Sequence, residues 1–189
     1  MSYNESVLKK LLDLIPQTGK LEWIGIRPGK KWALTALKSV RMEQNSGLEG
    51  DRFRGSVSGK RQVTLIQQEH LQVVANILGK SEIDPGWIRR NLVVSGINLL
   101  SLKHQSFQIG EAVFQTTGIC APCSRMEENL GPGGYNAMRG HGGITAKVLQ
   151  AGEIQIGDPV HLFKALVGII STRVTSLEVI ASEVFNDTD

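Results

Sequence analysis

Ser106-Phe107-Gln108-Ile109-Gly110-Glu111-Ala112-Val113-Phe114-Gln115-Thr116-Thr117 reads as two short strands separated by a glycine-marked reversal. The same pattern extends outward in both directions. Upstream, Leu21 to Ile26, Leu37 to Met42, Gln62 to Ile66 and Asn91 to Val94 have strand character. Arg27-Pro28-Gly29, Gly47 to Arg52 and Gly96-Ile97-Asn98 interrupt them. Downstream, Gly143 to Val148 and Glu153 to Val160 are strand-like, with reversals at Gly152 and Gly157-Asp158. The 21 glycines in 189 residues suit frequent tight reversals. Helical spacing is confined to a few places. Leu71, Val74, Ala75 and Leu78 share one face of a helix over Gln68 to Leu78, capped by Gly79. Ser6 to Ile15 predicts a short amphipathic helix closed by Pro16 and serving to pack, and residues 125 to 130 predict one or two turns. The expected fold is mostly β with minor helices, a β-barrel with helical insertions; a mixed α+β sandwich is the alternative.

Size and composition fit one globular domain. Charge is divided unevenly: residues 1 to 95 carry 15 Lys and Arg against 9 Asp and Glu, whereas residues 96 to 189 carry 6 against 9. The first half is therefore the natural side for an anion. Nucleic acid is not an expected partner, because no block of five basic residues occurs and aromatic content is 5%. Nor is a membrane: no stretch approaches the ~18 apolar residues of a spanning helix, and the start of the chain has no signal-peptide pattern. A cytoplasmic location with two reduced thiols is expected.

The chemically informative stretch is Thr116-Thr117-Gly118-Ile119-Cys120-Ala121-Pro122-Cys123-Ser124-Arg125-Met126-Glu127-Glu128, running from a strand through a Cys-x-x-Cys loop into a helix-competent segment. Free backbone N–H groups at a helix start, with Arg125 nearby, would favour a thiolate at Cys123. A thiolate attacks electrophiles, carries sulfane sulfur or binds a soft metal. Structural zinc is poorly served, since His70, His104, His141 and His161 are scattered. A thioredoxin-like dithiol has the right local sequence but asks for a βαβ context. A second cluster, Tyr135 to Ile144, combines close-approach glycines with the donors Arg139 and His141 and suits a phosphate or a pterin edge. Arg52, Arg61, Arg89 and Arg90 add cations near strand ends.

Taken in order, Gly47-Leu48-Glu49-Gly50-Asp51-Arg52, Arg61-Gln62-Val63-Thr64-Leu65-Ile66 with Glu69, Arg90-Asn91-Leu92-Val93-Val94-Ser95-Gly96, Pro122-Cys123, Gly142-Gly143-Ile144 and Gly152 to Asp158 resemble the MOSC domain, the module named for the C-terminal domain of molybdenum cofactor sulfurases. The resemblance spans residues 20 to 163. It implies a MOSC-type β-barrel, similar to the pyruvate kinase β-barrel domain, flanked by a helical extension over 1–19 and a C-terminal tail over 164–189 packed on the barrel. It implies molybdenum cofactor (molybdopterin) as ligand, with Cys123 as metal ligand or sulfur carrier, Arg61, Arg90 and Arg139 on phosphate or pterin, and Asn91 and His141 beside them. The function expected is delivery of sulfur to the cofactor, or reduction of N-hydroxylated compounds as in amidoxime-reducing relatives. An electron-donor or sulfur-donor protein is the expected partner. The alternative is a metal-free thiol redox or sulfur-transfer protein using Cys120 and Cys123. Two departures bear on this choice: Arg89-Arg90-Asn91 stands where the family commonly has Gly-Glu-Asn, and Cys120 lies outside the core pattern. The separate N-terminal module of amidoxime reducers is not among the 20 or so residues before the barrel, so full reductase activity is expected to need partner proteins.

Overall fold

A computed structural model describes residues 3–30, 32–52 and 59–164. In chain order the elements are α1 (Tyr3–Leu12), β1 (Gly19–Ile26), β2 (Thr35–Leu37), β3 (Ser39–Glu43), β4 (Gly47–Leu48), β5 (Val63–Gln67), α2 (Gln68–Ile77), β6 (Leu92–Ser95), β7 (Ser106–Ile109), β8 (Ala112–Ile119), α3 (Arg125–Leu130), α4 (Gly134–Ala137), β9 (Ile144–Gln150), β10 (Gly152–Gln155) and β11 (Pro159–Leu162). Short 3-10 helices, Pro85–Trp87 and Leu99–Leu102, precede β6 and β7.

Seven strands close into a barrel in the order β11-β7-β8-β9-β5-β6-β1, and β1 returns to β11 through Gly19 opposite Val160 and Lys20 opposite Pro159. The mostly β barrel expected from sequence is what forms. The opening hairpin shows why. Phe107 and Ile109 are buried and alternate with half-buried Ser106 and Gln108, so one face of β7 supplies the core. Phe107 lies opposite Phe114 of β8, with their rings stacked at 5.3 Å. Around them Leu21, Ile24, Leu65, Leu92, Ile144 and Val160 fill the same cluster. Each fully buried side chain of this size contributes about 1.5–3 kcal/mol.

β5 and β6 are buried on both faces and differ from the other strands in pairing parallel, Leu65 with Leu92 and Ile66 with Val93. A two-residue hairpin cannot join parallel strands, and α2 supplies the crossover. Leu71, Val74 and Ala75 of α2, Met126 and Leu130 of α3, and Ala137 of α4 cover Ile66 and Val93 from outside the barrel. One βαβ unit is thus embedded in a fold otherwise joined by antiparallel pairs. α2 ends as its sequence predicts: Gly79 takes φ +64° and donates to the Asn76 carbonyl at 3.2 Å.

Three local differences from the sequence reading stand out. The strand expected over Leu37 to Met42 breaks at Lys38, because β2 joins β1 while β3 joins β10 and β4 in a separate small sheet. The glycine-rich stretch hides the single turn α4, which is held by the Glu127 carboxylate accepting the N–H groups of Gly133 and Tyr135 at 2.8 and 2.9 Å. Those two bonds hold the Glu127 carboxyl below the usual carboxylate range. In α1, finally, Val7, Leu8, Leu11 and Leu12 are exposed rather than packed against any described element, although Ile15 just beyond it packs on the barrel core. The predicted C-terminal tail lies, from residue 165 onward, outside the described residues. Among the described residues no helix is long and apolar enough to cross a membrane.

Gly143, at the entry to β9, has φ +80°, and a Cβ there would collide with the Leu65 carbonyl oxygen and meet Ile66 Cα at 2.9 Å. Gly143→Ala is therefore expected to cost at least about 2 kcal/mol, from left-handed strain plus overpacking against β5. Urea unfolding of the variant beside the parent measures it.

Candidate functional site

β8 ends at Ile119 and α3 begins at Arg125, so the Cys120 to Ser124 loop emerges at one rim of the barrel. Its two thiols are in different surroundings and are not bonded to each other: Cys120 is buried and Cys123 exposed. The Cys120 N–H donates to the Gly143 carbonyl at 2.9 Å, anchoring the loop to the turn before β9. Cys123 precedes the α3 N-cap, Ser124, and its carbonyl accepts the Met126 N–H at 2.8 Å. Arg61 Nη2 sits 3.8 Å from Cys120 Sγ.

Arg90 holds this loop in place. Its guanidinium, 3% exposed, donates from Nε to the Gly142 carbonyl at 2.8 Å and from Nη1 to that of Ile88 at 3.0 Å. From Nη2 it donates to the carbonyls of Cys120 at 3.0 Å and Ala121 at 3.5 Å. Burial lowers its pKa, while negative charge on Cys120 or Cys123 would raise it. Asn91 is saturated in the same way. Its Oδ1 accepts from Thr64 N–H and Oγ1 at 3.2 and 2.8 Å, and its Nδ2 donates to the Gly25 carbonyl at 3.2 Å, tying β5 and β1 at the start of β6. The structure thus places Arg90 and Asn91 behind the cysteine loop, occupied with protein partners.

Beside the loop, where Arg125 opens α3, lies a cleft of about 550 Å³ lined by Arg27, Lys30, Arg52, Arg89 and Arg125, with Trp32 and Trp87 as aromatic walls; none of Cys120 to Ser124 is among its lining residues. No carboxylate is among its described lining residues. Both tryptophans are exposed. Arg27 follows β1, Arg52 follows β4, Arg89 precedes β6 and Arg125 opens α3, so the cations converge from four separate strand or helix ends. The Arg27 N–H donates to Asp51 Oδ1 at 2.6 Å, and its Nε is buried without a hydrogen-bond partner among the described residues. Burial first, and then the neighbouring charge of Arg89, lower the Arg27 pKa; Asp51 and a charge on Cys123 oppose this.

Arg89 is held at φ +58°, a left-handed backbone that disfavours residues other than glycine. The same state recurs at His104, after the other 3-10 helix, so turn geometry alone can produce it. What distinguishes Arg89 is its destination, since it lines the cleft while Arg90 turns inward.

Of the residues singled out by sequence, Arg61, Arg90, Cys120 and Cys123 gather around one loop. Arg139 is exposed and does not line the cleft. His141 packs edge-on against His70, ring centroids 5.0 Å apart, and both Nδ1 atoms are buried without partners. Sequence reasoning gave no site role to Arg27, Lys30, Trp32 or Trp87. Their signal is topological, lying in which strand ends share a rim. Among the described residues no three His, Cys, Asp or Glu side chains converge as metal ligands.

The sequence profile of the MOSC domain matches residues 41–161. No curated protein matches the chain in sequence. Among solved structures, the YuaD protein from Bacillus subtilis is 22% identical at a TM-score of 0.69, the alignment covering 80% of this chain and 100% of that one. YiiM from Geobacillus stearothermophilus is 19% identical at 0.64, covering 79% and 77%. YiiM from Escherichia coli is 18% identical at 0.60, covering 79% and 72%. These likenesses show the fold.

Arg90→Met is expected to cost at least about 3 kcal/mol, since several buried carbonyls lose their donor, and to change the alkylation rate of Cys123 as its loop is released. Denaturant titration and timed thiol labelling measure the two effects. Burial and the facing His141 lower the His70 pKa. An unfolded His70 therefore takes up a proton near pH 6.5 that the folded state accepts only at lower pH. Its contribution makes stability fall as pH drops below about 6.5, and His70→Gln is expected to flatten that slope in melts from pH 7.5 to 5.5.

Proposed function

The chain belongs to the MOSC domain family, and on that footing we propose that its basic cleft binds a molybdopterin-type cofactor beside Cys123. The observation that carries the reading is the cleft lining: among the described residues it has five cations, no carboxylate, and a buried Arg27 Nε without a partner. A phosphate monoester is a multiply charged acceptor of the kind such donors need. Arg27, Arg52 and Arg89 would hold that phosphate, and Trp32 and Trp87 offer faces to a planar heterocycle.

Cys123, exposed at the rim, would present a thiolate as a soft metal ligand or as the atom that carries sulfur. A bound molybdenum centre would supply redox chemistry suited to N-hydroxylated compounds, or accept the delivered sulfur. The chain's own residues do the rest. Arg90 fixes the Cys120 to Ser124 loop through backbone carbonyls, and Asn91 fixes the strand ends around it. Arg61, exposed beside Cys120, would extend the donor set toward the ligand, whereas Arg139 and His141 lie outside the cleft lining. An electron-donor or sulfur-donor protein would meet the exposed Cys123.

One observation favours a second reading. Cys120 lies buried behind Cys123 with the Arg61 guanidinium near its sulfur, an arrangement that would serve a metal-free thiol protein using both cysteines.

Purification from a cofactor-producing host, followed by elemental analysis and pterin fluorescence, separates the two. Cofactor binding predicts molybdenum and pterin in near-equal amounts with protein. Cys123→Ser is expected to lose the metal, Cys120→Ser to keep it, and Arg89→Gly, which suits the left-handed backbone, to lose pterin without loss of fold. Repeated preparations containing neither metal nor pterin would sink the cofactor reading, and a persulfide on Cys123 by mass spectrometry would then support the other.

A further inference from the structure

Helix α1 presents a row of apolar side chains that no described element covers. Leu8 is 57% exposed, Leu11 and Leu12 are each 63% exposed, and Leu14, just beyond the helix, is 67% exposed. Leu8, Leu11 and Leu12 recur at the i, i+3 and i+4 spacing of one helix face, and a contiguous apolar patch marks a contact surface. The end of α1 is nonetheless fixed to the barrel, because Asp13 accepts a hydrogen bond from Gln105 Nε2 at 3.2 Å and Ile15 packs against the barrel core.

Where the described chain ends is the second observation. Asp13, Leu14, Ile15 and Pro16 form one wall of a shallow groove, and His161, Leu162 and Lys164 at the end of β11 form the other. The chain therefore leaves the described structure directly beside the exposed leucines. The residues that follow open with Ala165-Leu166-Val167-Gly168-Ile169-Ile170, and apolar residues recur at Val174, Leu177 and Ile180. Charge agrees as well. α1 carries Lys9 and Lys10 in its last turn, whereas residues 165 to 189 carry Glu178, Glu183, Asp187 and Asp189 against the single Arg173.

We propose that the chain's own C-terminal segment, residues 165–189, docks on α1 and covers Leu8, Leu11, Leu12 and Leu14, with its acidic residues facing Lys9 and Lys10. Twenty-five residues are ample for this: the segment starts at the groove and need only run back along a ten-residue helix. The contact would join the two ends of the chain over the outside of the barrel, independently of whatever the cleft binds.

Hydrogen exchange on the full chain, read by mass spectrometry with solution mass measured in parallel, tests this. Peptides from α1 and from residues 165 to 180 are expected to be protected together in a monomer. The double substitution Leu8→Glu and Leu11→Glu is expected to deprotect residues 165 to 180 at least tenfold while leaving β5, β8 and β9 unchanged. Val167→Asp with Ile170→Asp is expected to deprotect α1 in return. Zero-length carbodiimide coupling should link Lys9 or Lys10 to Glu178 or Glu183 within one chain. Protection that rises with protein concentration alongside a doubled mass would assign α1 to a second copy and overturn the proposal. So would fast exchange of both segments in the parent chain, or double variants that change neither.

Discussion

A single guanidinium group draws together the backbone of three loops. Arg90 bonds the carbonyls of Ile88 before β6, Cys120 and Ala121 after β8, and Gly142 before β9. Burying an unpaired cation is costly, and here carbonyl dipoles rather than a carboxylate offset the cost. Neutral acceptors leave the net positive charge in place. The residue that organises the rim therefore also adds to the potential felt at Cys123. Gly142 belongs to the same arrangement: a Cβ there would meet Cys120 O and Arg90 Nη2, so the turn must be bare for the guanidinium to pass.

Adjacent arginines do opposite work because of one backbone angle. With Arg89 left-handed, the chain turns sharply enough that Arg89 lines the cleft while Arg90 is almost wholly buried. The conformational cost of a non-glycine residue in that state is of order 1–2 kcal/mol, small beside the barrel core that enforces it. The cleft concentrates cations that repel one another, visible in the depression of the Arg27 pKa by burial and by Arg89. A site of this kind is poorly satisfied by water and well satisfied by an anion.

Strand-rich architecture was legible because it depends on local signals. Alternation through Ser106 to Ile109 and the glycine at the reversal point to a hairpin without tertiary information. The ordered motifs likewise carried the barrel as a whole. The break at Lys38 was not legible, since a strand dividing between two sheets looks locally like one strand. Cys123 and the arginines near strand ends could be picked out by type and position, yet their roles depend on direction. Arg89 and Arg90 are indistinguishable in sequence, and only the turn separates them. Trp32 and Trp87 carry no local mark of a binding wall, because it takes the antiparallel pairing of β1 with β6 to bring the β1–β2 connection beside the segment before β6. The α1 helix was predicted for its period, but period alone does not say which surface it meets.

The barrel closes through only two residue pairs, Gly19 with Val160 and Lys20 with Pro159, joining positions almost a full barrel sequence apart. Two backbone hydrogen bonds extend the seam just beyond these pairs, from the Leu21 N–H to the Asp158 carbonyl at 2.9 Å and from the Gly157 N–H to the Leu21 carbonyl at 2.8 Å. The seam is a contact of long sequence separation, the kind that slows folding. It lies at the start of β1, whereas Arg27 follows the end of that strand, eight residues away along a rigid element. The residues that close the barrel and those that line the cleft therefore occupy opposite ends of one strand, so that one rigid element carries both.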